Sequence, residues 1–167
     1  MMCKGPKPNI VILLDGLFKN QEIGKAVEAF RSMQDHGITP DIVVYGIVIN
    51  GMCTVGKVED ARKLFSSISA KGLKLNVRIY TTMIVGLCKQ ALLDEAEELF
   101  MRMEGDGCPP NDVTYDIMLR EFLEKGDKNK VKMLLREMIS MNFSPDASHT
   151  AMLINDCDYV EMIQNLP

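Results

Sequence analysis

The sequence predicts an all-α fold, an α-solenoid of stacked helix-turn-helix units, and three observations predict it. First, residues recur at a spacing of 35: Phe30, Phe65 and Phe100, continued by Leu135; Ala26, Ala61 and Ala96, then Val131; Tyr45, Tyr80 and Tyr115; Cys53 and Cys88. Second, inside each copy the apolar residues recur every three or four positions, the spacing of one helix face. Third, Gly37, Gly72 and Gly107, followed by Asn142, punctuate the copies at one position, and Pro40 and Pro110 follow soon after two of them. A repeat of this length that is helical throughout is one supersecondary unit, and stacking such units builds a continuous core.

The copy from Ile42 to Asn76 shows the elements in order. Its apolar run and the break at Gly56 predict a first helix over Val43 to Thr54. Val58, Ala61, Leu64, Phe65 and Ile68 make one face of a second helix running to Ala70. Glu59 and Asp60 suit its first turn, Lys71 its C-terminal end, and Gly72 a left-handed cap. Met33, Met103 and Met138 form a packing stripe, and Cys53 and Cys88 read as small buried hydrophobes.

Gly51 to Lys57 in this copy matches Gly-x-x-x-x-Gly-Lys, most of a phosphate-binding loop. Val58 stands where the Mg²⁺-ligating Ser or Thr belongs, and Gly51 is one of the period-35 series Gly16, Gly51 and Gly86. The stretch is therefore the turn of one repeat.

Composition excludes several classes. Hydrophobic residues make up 47% and charged ones 25% of the chain, as in ordinary globular domains, and the run Ile10–Leu14 ends at Asp15 far short of a membrane span. Of the net charge of −4, the last 21 residues hold −3 (Asp156, Asp158 and Glu161), leaving −1 for residues 1–146. Any nucleic-acid binding must then rest on local arrangement rather than bulk charge. The cysteines Cys3, Cys53, Cys88, Cys108 and Cys157 form no C-x-x-C pair and suit a reducing compartment; with only His36 and His149 beside them, no zinc site or other metal or cofactor site is expected. The first forty residues contain one Arg and one Ser, Arg31 and Ser32, unlike an organelle-targeting peptide.

The stretch YTTMIVGLCKQALLDEAEELFMRMEGDGCPPN, with its Tyr, Gly-Leu-Cys-Lys, Asp-Glu-Ala, Leu-Phe and closing Pro-Asn, resembles the pentatricopeptide repeat. The uninterrupted 35-residue copies resemble the P class, and the GLCK block with the ending FSPDASHTAMLI is similar to plant restorer-of-fertility-like members. On this reading residues 1–9 are the tail of a preceding repeat, 10–41 a shortened repeat, 42–76, 77–111 and 112–146 full repeats, and 147–167 a partial capping repeat with an acidic tail. The shortened copy lacks the triplet that the family places before ILLDGLFK, so its first helix is expected to start late or form poorly and its first reading residue to be lost, leaving Asp41. Family members carry more repeats and a targeting segment, so the chain reads as a truncated C-terminal portion.

The resemblance implies a module that reads single-stranded RNA one base per repeat. The reading side chains are implied at the residue after the Tyr and at the last residue of the repeat: Gly46 with Asn76, Thr81 with Asn111, and Asp116 with Asp146. In the family a Thr with an Asn goes with adenine, which makes 77–111 the copy expected to read most clearly. Gly46 offers no side chain, and Asp116 with Asp146 turns two acceptors towards an anionic polymer. The resemblance also implies base-stacking positions at Val43, Arg78 and Val113 and phosphate contacts at Lys19 and Lys89, where Thr54 and Glu124 depart from the pattern. Asn76 and Asn111 also read as turn or cap residues at the ends of helices, and Thr81 as a helix start.

The implied role is organelle RNA processing, stability or translation, in the mitochondrion or alternatively the chloroplast, with proteins of RNA-processing complexes as further partners and neither membrane nor small-molecule substrate. The alternatives are a protein-interaction scaffold and a fragment without function of its own. Catalysis is not expected. His36 reads as a helix C-terminal residue, His149 as the start of the last helix, and Asp94, Glu95, Glu97 and Glu98 as a solvated face with Arg102 paired to Glu98.

Overall fold

The computed structural model describes residues 8–155 and 159–161, and these divide between two compact units, Met1–Cys108 and Pro109–Pro167. The first contains α1 (Pro8–Lys19), α2 (Ile23–Asp35), α3 (Ile42–Thr54), α4 (Val58–Ala70), α5 (Val77–Lys89) and α6 (Leu93–Gly105). The second contains α7 (Asp112–Lys125), α8 (Lys128–Ser140) and α9 (Ala147–Ile154). No strand occurs among the described residues, and no helix is long and apolar enough to cross a membrane. Asp156 and Asp158 of the expected acidic tail, and residues 162–167, lie outside the described residues.

In the first unit the first helices of the hairpins, α1, α3 and α5, form a rank, and each second helix packs on its own partner and, for α2 and α4, on the next first helix. Backbone proximity within the rank depends on Gly51 and Gly86. A Cβ at Gly51 would lie 2.2 Å from the Phe18 ring, and one at Gly86 would lie 2.2 Å from Sγ of Cys53. Between the ranks, the recurring aromatic pairs meet edge to face, Phe30 with Tyr45 at 5.6 Å and Phe65 with Tyr80 at 5.2 Å between centroids. Ala26, Ala61 and Ala96 are fully buried beside them. In the second unit α7 packs on α8 and α9, and the Tyr115 and Phe143 rings meet tilted at 51° with centroids 5.8 Å apart.

The turns explain the period. Gln21, Gly56, Ala91 and Gly126 all have positive φ and reverse the chain inside each hairpin, while Gly37, Gly72, Gly107 and Asn142 do so after the second helix. There the amide of the following residue reaches back to the last helical turn, as Leu73 N to Ile68 O and Phe143 N to Met138 O, in a Schellman closure. First helices start instead on an extended capping residue whose side chain accepts amide bonds: Asp41, Asn76, Asn111 and Asp146.

Three sequence expectations are corrected. The helix of the shortened copy neither starts late nor breaks, because α1 runs regularly from Pro8, taking residues of the preceding tail into its first turn. Proline at that position fits, since its missing N–H has no intrahelical acceptor there. Cys88 is only half-buried whereas Cys53 is buried, its Sγ against Gly86 of α5. Arg102 pairs with Asp106 at 3.3 Å, one turn towards the C-terminus, and Glu95 is half-buried with Arg62 of α4 at 2.5 Å.

Candidate nucleic-acid interface

Each first helix has one buried side and one open stripe, and the stripe follows from helical spacing. On α3 the residues Val44, Tyr45, Val48 and Ile49 are fully buried, so Val43, Gly46, Asn50 and Thr54, three and four residues apart, lie on the other side. Val43 is 48% exposed there. On α5 the same positions are Arg78, Thr81, Val85 and Lys89, with Arg78 and Lys89 exposed. On α7 they are Val113, Asp116, Arg120 and Glu124, with Val113 53% exposed. The implied stacking, reading and phosphate residues of one repeat thus share one helix face.

Thr81 is the fifth residue of α5 rather than a helix start, half-buried, with its hydroxyl donating to the carbonyl of Val77 at 2.8 Å. Asn76 and Asn111 do not end helices, as the sequence suggested; α4 stops at Ala70, and each Asn begins the next first helix. Oδ1 of Asn76 accepts from Ile79 N at 3.0 Å, and Oδ1 of Asn111 accepts from Thr114 N at 3.0 Å and from its hydroxyl at 2.8 Å. The capping geometry needs an acceptor at this position, and Asp41, Asn76, Asn111 and Asp146 each supply one.

In the first unit a Cβ at Gly46 would lie 3.1 Å from Cδ1 of Ile79, the residue whose backbone amide Asn76 caps, so both implied reading positions of that repeat adjoin Ile79. Lys89 is exposed and Lys19 is held by Asp15 one turn earlier at 2.5 Å. Counting from Gly16, Val11 of α1 occupies the register of Gly46; the first reading position of the shortened copy is filled, but by an apolar, half-buried residue.

In the second unit the structure brings Asp116 and Asp146 together. Oδ1 of Asp116 accepts from the backbone N of Asp146 at 3.1 Å, and Oδ1 of Asp146 caps α9 by accepting from His149 N at 2.9 Å. The amide of His149 holds the carboxyl of Asp146 below the ordinary range. Nδ1 of His149 lies 3.2 Å from a carboxylate oxygen of each aspartate. His149 is buried and was missed as a site residue. Its signal was available in the period: Val44, Ile79, Thr114 and His149 occupy one buried register, and only the last two are polar.

Nucleophile chemistry finds little to build on in the hairpin core. Desolvation pushes the Cys53 thiol up to about 11, with Lys89 pulling weakly the other way, so it stays a thiol at neutral pH. His36 caps α2, its Nδ1 2.7 Å from the carbonyl of Ser32.

The profile described as the PPR repeat family matches residues 8–54, 40–89 and 75–124, and a single PPR repeat matches 113–143. A pentatricopeptide repeat-containing protein of Arabidopsis thaliana is 43% identical over 51 residues, 30% of this chain and 10% of that protein. Among solved structures, the maize pentatricopeptide repeat protein PPR10 superposes with a TM-score of 0.78 at 22% identity over 93% of this chain and 22% of its own. The same protein in complex with an 18-nucleotide psaJ RNA element gives 0.78 at 24% identity over 90% of this chain and 22% of its own. The PPR domain of Arabidopsis thaliana protein-only RNase P 1, in complex with tRNA, gives 0.69 at 16% identity over 83% of this chain and 70% of its own. The chain is thus an all-α repeat fold of the solenoid class, spanning about a tenth of the curated relative and about a fifth of the maize protein.

Proposed function

The chain belongs to the PPR repeat family, and on that premise we propose that it is a sequence-selective module for single-stranded RNA. The observation that carries the proposal is the open stripe of α5, where Thr81 stands between Arg78 and Lys89 on one helix face. A short hydroxyl side chain on a rigid helix offers a donor and an acceptor to a base edge, the guanidinium can stack on a base, and the ammonium can meet phosphate. The family resemblance pairs Thr81 with Asn111, and adenine is the base expected for that pair. Gly46 with Asn76 selects weakly, and Asp116 with Asp146, already engaged with each other and with His149, contributes little direct reading. Val43 and Val113 add apolar contact for bases through their exposed side chains.

The repeat boundaries 10–41, 42–76, 77–111 and 112–146 belong to this reading. So do the P-class and restorer-of-fertility-like assignments, the origin as a C-terminal portion of a longer protein, and a role in mitochondrial or chloroplast RNA metabolism by binding rather than catalysis.

The test is fluorescence anisotropy of the purified chain with labelled single-stranded RNAs, adenine-rich against adenine-free. Wild type is compared with a Thr81→Val, Asn111→Asp double variant, which keeps the helix cap while removing the hydroxyl and the amide donors. Preferential, salt-sensitive binding of adenine-rich RNA that weakens in the variant is the expected result. Absence of RNA binding at low salt rejects the module and favours a protein-interaction scaffold or a fragment inactive by itself.

A further inference from the structure

The cluster in the second unit joins two carboxylates to an imidazole. Oδ1 atoms of Asp116 and Asp146 and Nδ1 of His149 lie within 4.8 Å of one another, and Nδ1 is 3.2 Å from each aspartate. We propose that these three side chains bind one divalent transition-metal ion of the Mn²⁺, Co²⁺ or Zn²⁺ type.

The geometry suits such an ion. First-row divalent cations sit about 2.0–2.2 Å from imidazole nitrogen and carboxylate oxygen, and the 3.2 Å from Nδ1 of His149 to each aspartate is the separation that neighbouring ligands of one such ion have. One imidazole with two carboxylates is a donor set for Mn²⁺, Co²⁺ and Zn²⁺, and the nitrogen disfavours Mg²⁺ and Ca²⁺. The donors come from α7 and from the start of α9, and the fold holds each of them. The Asp146 amide bonds Asp116 at 3.1 Å and the His149 amide bonds Asp146 at 2.9 Å, and a carboxylate oxygen with two lone pairs keeps its amide bond while ligating. The His149 side chain is only 7% exposed, so its ring is fixed by packing, whereas that of Asp146 is 52% exposed and leaves the ion a route from solvent.

Charge points the same way. Two aspartate carboxyl groups face one partly buried position, and a divalent cation is the complementary charge there. The corresponding register in the first unit, Gly46, Asn76 and Ile79, offers no such donor set.

The inference is independent of RNA, and so is its test. Mn²⁺ is titrated into the full chain without nucleic acid and the free ion is followed by electron paramagnetic resonance; Mn²⁺ is chosen because thiolates bind it poorly. Saturation at one ion per chain, displacement by Zn²⁺, and weakening of more than about tenfold in Asp116→Asn and in His149→Gln are expected. Far-UV circular dichroism of each variant checks that its helices persist, and the near-isosteric Asp116→Asn carries the test if His149→Gln loses α9. No saturable binding of Mn²⁺ or Zn²⁺, or binding that Asp116→Asn leaves unchanged, overturns the site.

Discussion

The phenol of Tyr80 donates a hydrogen bond to Oδ2 of Asp106, the residue that closes α6, and Arg102 approaches the same oxygen at 3.3 Å. One repeat earlier the same two registers hold Tyr45 and Lys71. There Nζ of Lys71 lies 5.6 Å from the ring centroid, and the buried Tyr45 hydroxyl has no hydrogen-bond partner among the described residues. Tyr80→Phe is therefore expected to lose about 1 kcal/mol of stability and Tyr45→Phe to be close to neutral, because only the first removes a hydrogen bond. Urea denaturation of the two variants side by side checks the contrast.

That pair also sets a pH dependence at both ends. Burial, then the bond to Asp106, push Tyr80 from 10.0 up to about 12. Folding thus favours the neutral phenol, and its contribution is present below pH 10 and lost as pH rises towards 12. Asp106, held down first by the Tyr80 hydroxyl, and Asp146, held down first by the His149 amide, shift below 3.8, so their contributions exist above that pH and vanish as it falls further. Urea midpoints measured from pH 3 to 11.5 should fall at both ends; Tyr80→Phe should flatten the alkaline fall, and Asp106→Asn part of the acid one.

Glycines in one register should respond with opposite signs. Gly16→Ala meets nothing within 4 Å and is expected to gain up to about 1 kcal/mol from helix propensity. Gly51→Ala and Gly86→Ala would press on Phe18 and Cys53 from 2.2 Å and are expected to lose about 1–3 kcal/mol through overpacking. Thermal denaturation of the three single variants reads the signs directly.

Asn76 and Asn111 serve folding before they serve recognition. Asn76→Ala and Asn111→Ala should each cost about 1 kcal/mol by removing the acceptor for Ile79 and Thr114 amides, while the Asp variants should be near neutral. Amide hydrogen exchange at the first turns of α5 and α7 locates the loss.

The RNA reading carries a quantitative consequence. Arg78 and Lys89 are exposed on the reading stripe, and Lys19 is engaged by Asp15. Two or three phosphate contacts on a single strand correspond to a slope of about −1.4 to −2 in log K against log salt. A titration from 50 to 200 mM salt measures it, and Lys89→Gln should reduce the slope by about 0.7.

What the sequence determined by itself was the hairpin and its repetition. Apolar spacing and the Gly56 and Gly72 breaks placed α3 within one residue and α4 over Val58–Ala70, since helix faces and turn residues are local properties that a period of 35 states four times over. The resemblance to a repeat family singled out Thr81, Arg78 and Lys89, and the helical course of α5 puts the three on one face. Only the tertiary structure decided the rest. Whether a short first helix forms depended on Pro8 entering α1, and whether Asn76 closes one helix or opens the next depended on where its Oδ1 finds an amide. Asp116 and His149 are 33 residues apart, and that Nδ1 of one meets Oδ1 of the other at 3.2 Å is a consequence of packing α9 on α7. Contacts of that kind are set by backbone approach in three dimensions, which no local spacing encodes.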